Sequence, residues 1–403
     1  MMGTKKHLNI AVICDSIESM AGGMFVSVYR YLIELKSKGH KVVIITTKIN
    51  DHKGNSGLFA GFTIYRFLTT FPFGTNKFRF ALLKQSALEK IFSQHKIDIV
   101  YTVQPVYSSY IATKTAKKMN IPVVAHWHLQ PENLISANPL FAYARKAIYK
   151  YLIYFFNKSN LIICPSEFAR GMLLAQKVRI PTKVISNGVN LRQFMVLSKR
   201  DAEYTFDKYA LDKDQTYIVM LGRLASEKNL TTAIRAMPLV RATIPNAQLI
   251  IIGRGKLYSQ LKKLTKKLKT DKSIHLLNKV PNEDIAPLLN IGSLFMHTSL
   301  IELECIAALE AMACGLPLLV ADSANSAAHS MISGNGATFE AKNYRDLANK
   351  AISLLQNQRQ LAMMSQQSLR LIGKYDLQKS ISELIGTFFQ MITKQKERDI
   401  VAI

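Results

Sequence analysis

The chain has 403 residues, 48% of them hydrophobic, and its 53 lysines and arginines outnumber its 27 aspartates and glutamates to give a formal net charge of +26. The hydrophobic fraction excludes a disordered chain, and the length exceeds what one ordinary core supports, so two globular domains are expected. The charge favours anionic partners without choosing among nucleic acid, an anionic bilayer and phosphorylated substrates.

The first element, in "MMGTKKHLNIAVICDS", has too short an apolar run for a signal peptide and predicts a buried strand. No run of about 18 apolar residues follows, so no membrane-spanning helix is expected. The cysteines show neither a CxxC pair nor a metal-ligand spacing, and we interpret them as small core residues in a reducing cytoplasm. They are Cys14, Cys164, Cys305 and Cys314.

Strands and helices alternate through the first half of the chain. Apolar residues recur at helical spacing in "GGMFVSVYRYLIELKSKGH" and "YIATKTAKKMN". Continuous apolar runs of strand length are "HLNIAVIC", "KVVIITT", "IDIVYTV", "IPVVAH", "LIICPS" and "KVISNG". Such runs, alternating with helices, predict a parallel sheet covered on both faces.

A second series of the same kind follows a polar stretch over residues 189–214. Its strands are "TYIVMLG", "AQLIIIG", "SIHLL", "LFMHTS" and "LPLLVAD". We therefore predict an α/β protein with one Rossmann-like domain over residues 1–195 and a second over 196–376. A carboxyl-terminal helix over residues 377–403 could pack back on the first domain.

Loops that follow the strands are the expected ligand-binding positions, because open parallel sheets bind ligands at the carboxyl ends of their strands. Gly22 and Gly23 follow the first strand and open a helix, where backbone N–H groups can meet a phosphate. A plain tight turn explains these glycines equally well. In "LGRLASEKNL", Arg223 and Lys228 flank a loop before a helix, an arrangement that favours a diphosphate, although ordinary surface loops also carry such cations.

Two glutamates, Glu302 and Glu310, lie eight positions apart in the apolar segment "SLIELECIAALEAMACGLPLLV". We expect a helix to begin near Glu304, which places Glu302 in the loop and Glu310 well inside the helix. Carboxylates of this kind accept hydrogen bonds from the hydroxyls of a ribose or a hexose. The alternatives are a capping box between Glu302 and Ser299, and an exposed helix position for Glu310, which its apolar neighbours disfavour.

His126 and His128, in "AHWHLQPEN", share one face of a strand, and His128 is nearer the carboxyl end. No further histidine or aspartate supports a metal site here, so we expect none. Asp212-Lys213-Asp214 matches the metal-binding DxD pattern of some sugar-transferring enzymes. Because it precedes a strand instead of following one, we predict a solvated turn.

Taken in order, these segments resemble the retaining family-4 glycosyltransferases of the GT-B fold, in the branch that builds bacterial glycolipids and cell-surface glycans. The resemblance spans almost the whole chain, and the order and spacing of its motifs make it specific. The motifs are the glycine pair at 22–23, "HLQPEN", "ISNGVN", "GRLASEKNL", "IIGRG" and the two spaced glutamates with "EAMACGLP".

The resemblance implies a GT-B fold, in which two Rossmann-like domains face each other across a cleft, and a nucleotide-diphosphate sugar as donor. Arg223 and Lys228 would bind the donor diphosphate, and Glu310 would hold the nucleotide ribose. Catalysis would need no metal and no other cofactor, because fixed cations stabilise the departing nucleoside diphosphate.

Further roles follow from the same resemblance. Glu302 would contact the donor sugar, His128 would position that sugar near the reacting carbon, and the glycine pair Gly22-Gly23 would meet phosphate. The family often has a Glu-x-Phe-Gly loop, whereas this chain has Glu302-Leu303-Glu304-Cys305. The identity of the donor is therefore open, and Glu304 is placed to share the role of Glu302.

The segment over residues 141–158 carries seven aromatic and four basic residues with no acid, and residues 71–96 are similar. Such interleaving suits an interfacial helix on anionic lipid, and the alternative is a core-packed helix with a solvated cationic edge.

The expected function is a hexosyltransferase that moves a hexose, glucose or galactose, from a nucleotide sugar such as a UDP-sugar to a lipid or lipid-linked or cell-surface glycan acceptor. The expected location is cytoplasmic, peripheral on the inner membrane face. A nucleotide-sugar epimerase or phosphorylase on the same scaffold is the alternative. A basic nucleic-acid-binding protein ranks lower, because the sequence shows no nucleic-acid-binding motif, and no nucleic-acid partner is expected.

Overall fold

The computed structural model describes residues 6–15, 17, 23–48, 59–69, 81–137 and 139–401. The chain divides into two compact units, of which the first contains Met1–Ser186 with Ser380–Ile403 and the second contains Asn187–Lys379. Gly22 and residues 71–80, which include part of the second basic and aromatic segment, lie outside the described residues. Among the helices that are described, none has the length and apolar character needed to cross a membrane.

The first unit is built on a parallel sheet of seven described strands. These are β1 (Asn9–Ile13), β2 (Lys41–Thr47), β3 (Thr63–Phe67), β4 (Ile99–Thr102), β5 (Val123–His126), β6 (Leu161–Cys164) and β7 (Thr182–Val184). Their order in the sheet is β3-β2-β1-β4-β5-β6-β7. The chain direction across the sheet therefore reverses between β1 and β4, which is the switch point of a Rossmann-like fold.

Helices connect these strands in the usual βα alternation. They are α1 (Gly23–Ser37), α2 (Gln85–Gln94), α3 (Tyr107–Lys118), α4 (Pro131–Ala137), α5 (Arg145–Phe156) and α6 (Glu167–Ala175). Strands β1, β4, β5 and β6 are buried along almost their full length, which explains their uninterrupted apolar sequence.

The second unit repeats this plan on a six-stranded parallel sheet with the order β10-β9-β8-β11-β13-β15. Its strands are β8 (Thr216–Leu221), β9 (Ala247–Ile252), β10 (Ile274–Leu277), β11 (Gly292–His297), β13 (Leu318–Asp322) and β15 (Gly336–Glu340). Two short strands, β12 (Ile301–Glu302) and β14 (Asn325–Ser326), pair with each other beside it. The switch point of this sheet lies between β8 and β11.

Two helical layers complete the second unit. Its helices are α7 (Lys199–Tyr209), α8 (Leu230–Thr243), α9 (Tyr258–Lys267), α10 (Ile285–Asn290), α11 (Ile306–Ala313), α12 (Tyr344–Gln356) and α13 (Gln358–Ile372). One core joins the sheet to α8, α9 and α12, and another joins it to α10 and α11. The prediction of two parallel α/β domains in tandem is confirmed.

The last helix, α14 (Leu377–Val401), begins in the second unit and continues into the first. Within the first unit, Ile381, Leu384 and Phe388 are fully buried. The ring of Phe388 lies 5.5 Å from that of Tyr101 on β4 in an edge-to-face arrangement. The end of the chain therefore supplies part of the core of the first unit.

Candidate functional site

A cluster of charged side chains lies at the switch point of the second sheet. Strand β8 ends at Leu221 and is followed by Gly222 and Arg223, while β11 ends at His297. Lys228 lies in the short turn before α8, and Glu302 lies on β12. Polar side chains gather here because the carboxyl ends of adjacent parallel strands open a crevice at this point.

Lys228 and Glu302 form an ion pair in which the Nζ atom contacts Oε1 of the carboxylate. The same oxygen lies 2.9 Å from Nε2 of His297. Both partners of the ion pair are largely shielded, with 16% of the Lys228 side chain and 13% of the Glu302 side chain exposed. A buried charge of this kind needs compensation, and the three side chains supply it to one another.

The carboxylate of Glu302 is ionised across the physiological range. Burial raises its pKa, but the positive charge of Lys228 and the hydrogen bond from His297 outweigh burial and hold the pKa at about 2. Glu302 is therefore a permanent hydrogen-bond acceptor at this end of the sheet.

Arg223 also has a carboxylate partner. Its guanidinium donates to Oε1 of Glu227 at 2.6 Å, and the Arg223 side chain is 37% exposed whereas that of Glu227 is only 9% exposed. Both candidate phosphate-binding cations are thus paired with glutamates, and Arg223 has the freedom to turn towards a ligand. The pairing of Arg223 with Glu227 was not anticipated from the sequence, although the spacing of four residues permits it.

Close backbone packing holds the loop that carries these cations. Leu224 N–H donates to the carbonyl of Arg254 at 2.8 Å, and Gly222 N–H donates to the carbonyl of Ile252 at 3.0 Å. A Cβ atom on Gly253 would overlap the carbonyl oxygen of Gly222. Glycine in "IIGRG" is required because two loops at the end of the sheet touch through their backbones.

The glutamate segment differs in detail from its prediction. Helix α11 begins at Ile306, two residues from the predicted start near Glu304, but Glu302 lies on the short strand β12 instead of in a loop. The capping-box alternative is wrong, because the Ser299 hydroxyl donates to the backbone carbonyls of Glu227 and Ile301. β12 was missed because its pairing with β14 joins residues 24 positions apart.

The other two acids of the segment are buried. Glu310 lies within α11 and is 6% exposed, so the exposed alternative is wrong. Glu304 is 8% exposed, and its Oε2 accepts a hydrogen bond of 2.8 Å from the N–H of Asn187. Glu304 therefore anchors the backbone of the "ISNGVN" motif.

In the first unit, His126 and His128 lie at the end of β5 with their rings 3.9 Å apart. The Tyr101 hydroxyl bonds Nδ1 of His126, and Nε2 of each histidine is buried with no partner among the described residues. Burial lowers the pKa of His128 to about 3 and that of His126 well below its usual value. Both imidazoles are neutral at physiological pH.

Asp15 is a buried acid that was not anticipated as a site residue. It follows β1 at the switch point of the first sheet, and its Oδ2 accepts from the Ser108 hydroxyl at 2.8 Å and from Ala81 N–H at 3.2 Å. Its Oδ1 is buried with no partner in the described part of the chain. Burial raises its pKa to about 6. An acid two residues after the apolar end of the first strand was the available signal.

The remaining residues named from the sequence lie at the surface or outside any described metal-binding cluster. Gly23 is the exposed first residue of α1. Asp212 accepts hydrogen bonds from Asp214 N–H and from the Gln215 amide at the surface, so the DxD-like tripeptide is the predicted turn. Among the described residues, the His126-x-His128 pair belongs to no cluster of three metal-ligating groups.

Two family models match the chain, one in each unit. The model described as Glycosyltransferase Family 4 matches residues 21–193, and the model described as Glycosyl transferases group 1 matches residues 201–370. The Streptococcus pneumoniae alpha-monoglucosyldiacylglycerol synthase is 24% identical over 315 residues, which cover 77% of this chain and 70% of that protein. The GPI3 subunit of the Saccharomyces cerevisiae phosphatidylinositol N-acetylglucosaminyltransferase is 24% identical over 311 residues, which cover 76% of this chain and 66% of that protein.

Solved structures show the same fold at low sequence identity. Sucrose-phosphate synthase from Thermosynechococcus elongatus superposes with a TM-score of 0.79 at 16% identity, covering 96% of this chain and all of that one. Anabaena HepE in complex with UDP-glucose superposes with a TM-score of 0.74 at 18% identity, covering 94% of this chain and all of that one.

Two Rossmann-like units and these neighbours define the GT-B fold. The two family matches then specify the family: the chain belongs to the family-4 glycosyltransferases.

Proposed function

We propose that the protein transfers a hexose, glucose or galactose, from a nucleoside-diphosphate sugar to a lipid or lipid-linked or cell-surface glycan acceptor at the cytoplasmic face of the membrane, with retention of anomeric configuration. The observation that carries this proposal is the cluster of Lys228, Glu302 and His297 beside Arg223 at the switch point of the second sheet. It combines fixed cations for a diphosphate with an ionised acceptor for sugar hydroxyls.

On donor binding, the diphosphate takes the positions that glutamate oxygens now hold beside Arg223 and Lys228. Charge then builds on the leaving diphosphate as the glycosidic bond breaks, and two preorganised cations stabilise that charge. Glu302 accepts hydrogen bonds from the transferred sugar, and Glu310 accepts them from the ribose. This arrangement supplies the electrostatic stabilisation without a metal ion or other cofactor.

His128 is suited to positioning the sugar. A neutral imidazole offers a hydrogen-bond donor or acceptor, and Nε2 of His128 is buried with no partner among the described residues. Gly23, with Gly22 before it, would offer backbone N–H groups to phosphate at the start of α1.

Relatives support a lipid acceptor. The synthases of Streptococcus pneumoniae and Acholeplasma laidlawii that resemble this chain are named for a glucosyl diacylglycerol product, and the latter is 24% identical with 78% of this chain aligned. UDP-glucose in the Anabaena HepE structure supports the donor class.

Helix α5 supports contact with an anionic membrane. Tyr149, Leu152 and Phe155 on one face are buried, while Tyr151 and Tyr154 are about half exposed at 46% and 50%. Lysines 146 and 150 are exposed, and they line a groove that also includes Arg145. Exposed aromatic rings beside lysines suit the headgroup region of anionic lipid.

The test is donor-dependent release of nucleoside diphosphate in the presence of lipid acceptor. Lys228→Ala and Glu310→Ala should each lower the rate by a factor of about 100 or more, because each removes a charged contact to the donor. Asp212→Ala, in the surface turn, is the control and should retain the wild-type rate. Full activity in both site variants would overturn the assignment.

A panel of nucleotide sugars in a thermal-shift assay identifies the donor, because a bound ligand stabilises the folded state according to its affinity. Incubation with donor alone separates the transferase from an epimerase. An altered nucleotide sugar formed without acceptor would contradict transfer to lipid.

A further inference from the structure

Three side chains at the switch point of the second sheet form a chelating group. Nε2 of His297, a carboxylate oxygen of Glu302 and Sγ of Cys305 all lie within 4.8 Å of one another. Nε2 of His297 is 3.2 Å from the sulfur and 2.9 Å from the oxygen. Among the described residues this is the one group of three such ligands.

The chemistry of the group matches zinc. An imidazole nitrogen, a carboxylate oxygen and a thiolate sulfur are the ligands that Zn²⁺ prefers, with bonds of roughly 2.0 to 2.3 Å. Tetrahedral coordination with such bonds separates the ligand atoms by about 3.5 Å. The separations of 3.2 and 2.9 Å from Nε2 of His297 need to open by only a few tenths of an ångström, and the carboxylate oxygen and the sulfur lie within 4.8 Å of each other. Three protein ligands leave a fourth position for water.

The group is buried but has an opening. His297 is 4% exposed and Cys305 is 1% exposed, so a bound ion would be well shielded. A small pocket lined by Gly222, Arg223 and Lys228 reaches His297. Of the three ligands, this pocket borders His297, on the side that carries the two cations.

The charges around the three ligands indicate that Lys228 competes with a metal ion for this site. The Cys305 thiol releases a proton to solvent when it binds a metal, so thiolate and carboxylate together neutralise a divalent ion. Lys228 now holds the Glu302 oxygen that the ion would take, and its positive charge repels the ion. Zinc and the Lys228 ammonium therefore compete for that oxygen.

We propose that His297, Glu302 and Cys305 form a zinc site, and that zinc in this site displaces Lys228 from Glu302 and excludes the sugar donor. The exclusion of the sugar donor rests on the proposed function, whereas the zinc site itself does not. Zinc at this position is an inhibitor, since it occupies the Glu302 carboxylate that would hold the sugar.

The direct test is a spectroscopic titration of the full chain with Co²⁺ or Cd²⁺, without nucleotide sugar, followed by displacement with Zn²⁺. One equivalent should bind with a thiolate-to-metal charge-transfer band. Cys305→Ser should abolish the band and weaken zinc binding at least tenfold, and His297→Gln is a second variant that should weaken it similarly. Cys314→Ser, which alters another buried free cysteine, should bind as wild type.

Lys228→Met is expected to change the zinc affinity in the opposite direction, which makes the test more specific. It removes the competing cation while keeping most of the side-chain volume, so zinc should bind several-fold more tightly. Absence of a thiolate band in the wild-type protein, a band unchanged in Cys305→Ser, or weaker binding in Lys228→Met would each overturn the proposal.

Inhibition is measured separately. Zinc should raise the apparent KM for the nucleotide sugar, a chelator should reverse this effect, and Cys305→Ser should be insensitive. If the protein transfers no sugar, the titration still decides whether the site exists. If it transfers sugar but the band is missing, the proposed function stands and the zinc site does not.

Discussion

The pKa values of His126 and His128 show how burial at the end of a strand changes the properties of single side chains. Their pKa values are lowered by burial, that of His128 to about 3, so at these two groups the folded protein binds fewer protons than the unfolded chain below about pH 6.5. The free energy of unfolding should therefore fall as the pH drops from about 6.5 towards 3, by up to about 1.4 kcal/mol per pH unit for each histidine.

The measurement is urea unfolding between pH 5 and 8, followed by the fluorescence of Trp127, the single tryptophan of the chain, which lies between the two histidines. His128→Gln should show a shallower loss of stability below pH 6.5 and the wild-type slope above pH 7. An unchanged acid slope in the variant would show that His128 accepts a proton in the folded state.

Gly253 is the residue at which backbone contact leaves no room for a side chain. Gly253→Ala should disrupt the loop that carries Arg223, lowering both the melting temperature and donor affinity, because the added methyl group meets the carbonyl oxygen of Gly222. The control is Gly171→Ala within α6, where the new Cβ has no neighbour within 4 Å. The control should gain about 0.5 to 1 kcal/mol of stability, since alanine favours a helix. A harmless Gly253→Ala would contradict the close approach of the loops.

At the residue scale, the positions of the candidate groups could be predicted, but their partners could not. Arg223, Lys228 and Glu302 follow strands, and this is visible in the sequence. The ion pair between Lys228 and Glu302 joins residues 74 positions apart, and it depends on which strands become neighbours in the sheet. The presence of His297 and Cys305 in the same site could not be predicted for the same reason.

At the scale of single elements, helix α5 has features of both interpretations that its sequence left open, the interfacial helix and the core-packed helix with a cationic edge. One face packs into the first unit and the other exposes tyrosines and lysines. Lys146→Glu with Lys150→Glu should weaken binding to vesicles of anionic lipid by about 2 kcal/mol, or roughly 30-fold, since each lysine near the surface contributes about 1 kcal/mol.

The matched control for α5 is Lys262→Glu with Lys266→Glu on α9, which changes the net charge equally. Those lysines are exposed, and the same helix buries Leu261 in the core of the second unit. Vesicle co-sedimentation at physiological salt measures both variants. Equal losses would show that the total charge, not α5, governs membrane binding.

Short elements were predicted less well than long ones. The strand β12 differs from expectation because it depends on a partner far along the chain. Longer elements with clear periodicity, such as α1, agree with prediction.

At the scale of the whole molecule, the two parallel sheets could be predicted because most of the strands are apolar runs and most are followed by a helix. The strand orders could not be, since they depend on contacts between distant segments. The return of the carboxyl-terminal helix α14 to the first unit was among the expectations from the sequence.

Phe388 tests this arrangement. Phe388→Ala should destabilise the first unit by about 3 to 5 kcal/mol, because it removes a fully buried ring that packs on Tyr101. Trp127 fluorescence during urea unfolding reports that unit, in which it is fully buried. Gln390→Ala, an exposed position on the same helix, should change stability by less than about 0.5 kcal/mol. Equal midpoints for the two variants would contradict a core role for α14.

The route of α14 also affects biosynthesis. A nascent chain emerges from the ribosome amino terminus first, yet Ile381, Leu384 and Phe388 of the first unit are translated only after all of the second unit. Part of the apolar surface of the amino-terminal sheet therefore stays uncovered while about 190 residues are synthesised and begin to fold. The unit that is made first is the one that is completed last.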